Sequence, residues 1–184
     1  MKVEMSGTTG TITMMKRPGM RRIVIGAAVL VAVGIGWYLF RPELLFVDKT
    51  VSEALPTAAA KRTPEGMSGT TTLASGRFHG VAHETKGIAA VHELGDGRRL
   101  LRLTGFETSN GPDVRVYLVA ADDATDSDTV KNAGHVELGR LKGNIGDQNY
   151  EIPGDLDLNK YQAVTIWCRR FGVNFGTAPL EARN

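Results

Sequence analysis

One residue in this sequence has redox chemistry available to it and no second copy to share it with. Cys168 is the single cysteine among 184 residues, so no intramolecular disulfide can form. It lies in the segment Ala163-Val164-Thr165-Ile166-Trp167-Cys168-Arg169-Arg170-Phe171. On a regular strand, Val164, Ile166 and Cys168 share one face while Thr165, Trp167 and Arg169 share the other. The more apolar face is expected to point inward, which makes Cys168 a small buried hydrophobe. The competing reading is chemical. A thiolate is a nucleophile and a metal ligand, and the cations of Arg169 and Arg170 would favour it. The candidate site is therefore Cys168 as redox thiol or ligand, with Trp167, Arg169, Arg170 and His83 as neighbours. Trp167 itself reads as a packing residue, with a stacking platform as the alternative.

The familiar partners of such a cysteine are missing. There is no C-x-x-C for dithiol exchange and no C-x-x-C-H for covalent haem. A blue-copper site needs histidine and usually an axial methionine near its cysteine. No histidine follows Cys168, and Met67 is the only methionine beyond residue 40. Noncovalent haem, with Cys168 or a histidine as axial ligand, stays open. The histidines are His79, His83, His92 and His135. His79 and His83 would share a face on a regular strand, but four residues span about 13 Å, too far for one metal. Surface positions are expected for all four. The acidic run Asp122, Asp123, Asp126 and Asp128 could suit calcium. An EF-hand frame from Asp126 fails, however, because Val130 and Lys131 fill the places of a ligand and the turn glycine. A solvated loop is expected and no metal site is assigned. No nucleophile elbow, phosphate loop or zinc-protease motif occurs. Enzymatic activity is thus left uncertain, leaning against.

The elements that must position Cys168 read as strands. From Leu73 onward the apolar period is two and turn signals are frequent. Strand candidates are Leu73–His83, Gly87–Leu94, Arg98–Phe106, Asp113–Ala121, His135–Leu141, Gln148–Ile152, Ala163–Phe171 and Gly172–Phe175. Gly95-Asp96-Gly97 and Asn110-Gly111-Pro112 mark turns. In the cleanest strand, Val114, Val116 and Leu118 face one way and Arg115, Tyr117 and Val119 the other. No helix of 10 residues or more is expected here. The fold class is all-β: an antiparallel sandwich of about eight strands, with a barrel-like closure as a variant.

Ahead of this domain lies Ile23–Phe40, eighteen residues without a charge. At 1.5 Å per residue they span about 27 Å, near the hydrocarbon thickness of a bilayer. Trp37 and Tyr38 sit at the distal end, where amphipathic rings prefer the interface. Lys16, Arg17, Arg21 and Arg22 precede the segment, so the positive-inside rule places the N-terminus in the cytoplasm and the domain outside. A cleaved signal peptide is the alternative, but no small-residue cleavage site follows promptly. The division read from sequence is a basic tail over 1–22, a transmembrane signal anchor over 23–40, a flexible linker over 41–72 and a β-domain over 73–184. The linker, rich in Ala, Thr, Pro and Gly, suits a tether. Six of the 22 basic residues and one of the 20 acidic ones precede Pro42, leaving the rest at 16 against 19, a net −3. That balance argues against nucleic acid as a partner. Lipid contact is expected through residues 23–40.

Four segments give the domain a resemblance. They are Gly76-Arg77-Phe78 with His83 and Gly87; Phe106 followed by Asn110–Leu118; Leu138–Tyr150 with Pro153; and Ile166-Trp167-Cys168 with Phe171, Phe175, Gly176 and Ala178. In this order they resemble the DM-thirteen, or electron-transfer DM-thirteen, family over about Gly76 to Leu180. The resemblance implies a small extracellular β-sandwich, often found beside DOMON-type haem- or sugar-binding domains. It also implies a redox role centred on the cysteine that Cys168 matches, as a thiol or through a prosthetic group. No DOMON-type domain is present in this chain, so a partner would supply it. The expectation is a membrane-anchored extracytoplasmic redox or electron-transfer module with an unknown protein or redox partner. The alternative is a binding or adhesion module in which Cys168 is merely packed. A lone domain behind a signal anchor suits a bacterial plasma membrane.

Overall fold

The computed structural model describes residues 19–40, 47–56 and 69–182. Residues 1–18 of the expected basic tail and most of the expected tether lie outside the described residues. The chain divides after Phe40. Before that point stands one helix, α1, Met20–Phe40. It begins three residues earlier than the uncharged run, because Arg21 and Arg22 continue the same backbone turn. Its length and composition suffice to cross a membrane, a property that signal sequences share.

The second unit is the β-domain. Its described strands are β1 Thr50–Ser52, β2 Thr71–Arg77, β3 His79–Gly80, β4 Lys86–Glu93, β5 Arg99–Glu107 and β6 Val114–Val119, then β7 His135–Arg140, β8 Ile145–Ile152, β9 Ala163–Cys168, β10 Val173–Pro179 and β11 Glu181–Ala182. They form a six-stranded sheet, β1-β8-β5-β4-β2-β11, and a five-stranded sheet, β3-β10-β9-β6-β7. Every pairing is antiparallel except β1 with β8. The expected sandwich is present. The barrel variant is not, since each sheet keeps two edge strands.

Strand alternation places the core between the sheets. Ala89, Val91, Leu101, Leu103 and Phe106 come from one sheet; Val116, Leu118, Val164, Ile166 and Cys168 come from the other. Burial of such side chains stabilises by about 1.5–3 kcal/mol each. A smaller cluster of Tyr117, Val119, Ala124, Val130, Ala163 and Trp167 lies on the opposite face of the second sheet. Consequently β9 is buried at all six positions.

Two stretches read as irregular carry structure. The acidic run contains α2, Ser127–Asn132, whose N-cap Asp126 accepts from Thr129 N at 2.6 Å. Asp126 thus satisfies a helix end rather than starting a calcium loop, and Val130 of α2 is fully buried. Within the expected 41–72 linker, β1 lies on the edge of β8, pairing Thr50 with Ile145 and Ser52 with Asp147. Thr71 and Thr72 already belong to β2. A three-residue strand is too short to show a period, so composition alone made this stretch look like tether.

Candidate functional site

A cleft of about 230 Å³ opens where the Asn110–Val114 turn meets the Arg140–Asn144 loop. Val47 and Lys49 wall it on a third side. Each wall is held by specific bonds. Gln148, fully buried in β8, donates to Gly143 O at 2.7 Å and accepts from Lys142 N at 3.1 Å. Tyr150 donates its hydroxyl to the same Gln148 oxygen at 2.8 Å, and burial pushes the Tyr150 phenol well above its ordinary pKa. Asn144 donates to Thr108 O and to Asp48 Oδ1. Asn110 donates to the same Asp48 oxygen at 3.0 Å. One carboxylate therefore joins the turn, the loop and the 47–56 segment.

Cys168 does not line this cleft, but its neighbour on β6 does. Its cross-strand partner is Val114, a pairing that sets Cβ atoms about 4.5–5.5 Å apart. Val114 lines the cleft and is 8% exposed, whereas Cys168 is fully buried. The thiol thus sits beside a side chain that lines the opening. On the other side Cys168 pairs with Val173.

The charges around the rim are spent on one another. Asp113 accepts from Arg115 Nε at 2.7 Å, Arg140 Nη2 at 3.1 Å and Arg169 Nε at 3.0 Å. Glu137 takes a second bond from Arg115 at 2.5 Å. Burial pushes the Asp113 carboxyl up, but the hydrogen bonds from Arg115 and Arg140 outweigh it and hold the group below its ordinary range.

The residues expected to surround Cys168 are dispersed. Trp167 is on the opposite sheet face, 6.3 Å between centroids from Tyr117. Arg169 serves Asp113 rather than the thiol. Arg170 is exposed on the turn after β9. His83 lies tilted against Phe175, ring centroids 4.0 Å apart, and Gly111 of the cleft packs against that same ring. The His79–His83 strand face does not form, because β3 ends at Gly80. His79 instead meets Asp123 at 2.9 Å, His92 meets Thr72 at 3.1 Å and His135 stacks on Tyr117 at 4.5 Å. Neither Cys168 nor any histidine lines the cleft, so these residues do not fit an axial-ligand site for haem there. Asp48, Asn144 and Gln148 are the site residues that sequence reasoning missed. Asn144 and Gln148 fell inside the glycine-rich segment quoted above, which was the available signal.

The family model described as Electron transfer DM13 matches residues 77–180. The chain belongs to the electron transfer DM13 family. No curated protein and no solved structure matches it. The DM13 match spans β3 to β10 and excludes α1 and β1. Within the DM13 region, the central and glycine-rich segments that carry the resemblance supply most of the cleft wall, and the closing segment sets Cys168 beside Val114 of that wall. Lys49 and Asp48 come from outside the region matched, so the cleft is completed by a part of the chain that precedes the DM13 domain.

Proposed function

We propose that this chain is a membrane-anchored, extracytoplasmic electron-transfer module whose redox group is Cys168. The observation that carries the reading is that the thiol neighbours Val114, which lines the cleft where the motif segments meet. The anchor would be α1, uncharged over eighteen residues and preceded by basic residues. The positive-inside rule then puts the β-domain outside the cytoplasm. With a volume of about 230 Å³, the cleft is below the range for drug-sized ligands. It suits the tip of a partner protein or a small polar group better than a large prosthetic group.

A second reading has its own observation. Complete burial of Cys168 among aliphatic neighbours is the environment of inert structural cysteines. On that reading the domain is a binding or adhesion module and the cleft is its contact point. Film voltammetry of the full chain in detergent, wild type beside Cys168→Ser and Cys168→Ala, separates the two. The redox reading expects a signal that both variants lose while remaining folded. Indistinguishable traces would sink it and leave the binding reading. Protease treatment of intact cells tests topology: the β-domain should be digested from outside, and protection would reverse the orientation.

A further inference from the structure

We propose that residues 47–56 are a strap that gates the cleft in front of Cys168, so that releasing the strap opens the way to the thiol. The inference rests on reading this cleft as the working site.

The strap is built into the domain rather than resting on it. Lys49 N donates to Asn144 Oδ1 at 2.7 Å, and Glu53 N donates to Asp147 O at 2.9 Å. The Glu53 carboxylate takes Lys142 Nζ at 2.8 Å and Asn149 N at 2.8 Å. The landing strip is shaped for it. A Cβ on Gly143 would collide with the carbonyl oxygen of Lys49, and one on Gly146 with that of Val51. The glycines of the motif loop leave room for a second backbone.

Its coupling to the cleft runs through Asp48. That carboxylate holds Asn110 at 3.0 Å and Asn144 at 2.8 Å, one from each cleft wall. Asn110 begins the turn whose Gly111 packs on Val114 and Phe175, and Val114 is the cross-strand neighbour of Cys168. Lifting the strap removes one wall of the cleft and unpins both others. Only residues 41–46 separate α1 from the strap. A pull or a partner acting on the chain beyond the helix therefore reaches the strap before any other part of the domain. Such local openings lie below global unfolding in free energy.

The test measures the rate at which a small maleimide labels Cys168 in the full chain in detergent. Asp48→Ala and Glu53→Gln are compared with Val91→Ala, a core variant remote from the strap that lowers global stability. Asp48→Ala should label about tenfold faster or more, and faster than Val91→Ala at matched thermal stability. Amide exchange at Ile145, whose N–H bonds Lys49 O at 3.3 Å, should rise in parallel. Labelling that merely tracks stability across all variants, or that Asp48→Ala leaves unchanged, overturns the gate. This readout does not depend on redox activity, so it can fail or succeed separately from the voltammetry.

Discussion

Cys168 shows how far a single residue's chemistry depends on what covers it. Its face of β9 follows from alternation: Val164, Ile166 and Cys168 all enter the inter-sheet core, as their spacing predicts. The guanidinium of Arg169, expected beside the thiol, pairs with Asp113. The packing predicts the cost of change. Cys168→Ala deletes one sulfur from a closed core and should cost about 1 kcal/mol. Cys168→Ser places a hydroxyl in the apolar inter-sheet core and should cost about 1–3 kcal/mol. Urea denaturation of both variants checks the order; a serine variant as stable as wild type would mean the pocket is wetter than its burial indicates.

At the scale of elements, β1 changes where the domain begins. The segment is attached by backbone pairing to β8 and by Asp48 and Glu53 to side chains and amides of the domain. A fragment from residue 57 should therefore be less stable than one from residue 41, with an exposed β8 edge prone to association. The loss expected is about 2–4 kcal/mol, from several charge-assisted hydrogen bonds partly offset by regained chain entropy. Denaturation midpoints and sedimentation of the two fragments measure it; equal midpoints would show that the strap contributes nothing. α2 makes a comparable point. Its apolar contribution to the core is the single fully buried Val130, too little for a hydrophobic period, yet the helix and its flanking chain cover Trp167 and Tyr117.

Across the whole molecule, acid should act on the folded state through paired carboxylates. Asp113 is raised by burial but lowered more by its hydrogen bonds, chiefly from Arg115 and Arg140. Glu53 is likewise raised by burial and lowered more by the Lys142 and Asn149 bonds. Both have folded pKa values below their ordinary ones. Their stabilisation is therefore present above the ordinary carboxylate pKa, about 4, and is lost as pH falls below it through the folded values. Thermal midpoints recorded downward from about pH 5 should fall, and Asp113→Asn should flatten that fall; an unchanged slope would show that the arginine cluster does not couple to folding. The sequence by itself determined the apolar helix, the all-β class, and the inward faces of β6 and β9, because hydropathy and a period of two are properties of contiguous residues. Only the tertiary structure decided that Trp167 is covered, that Val47 and Lys49 complete the cleft and that Cys168 pairs with Val114 of its wall. Those facts rest on contacts such as Lys49 to Asn144, 95 positions apart, and alternation along a strand says which way a side chain points but not what will be folded on top of it.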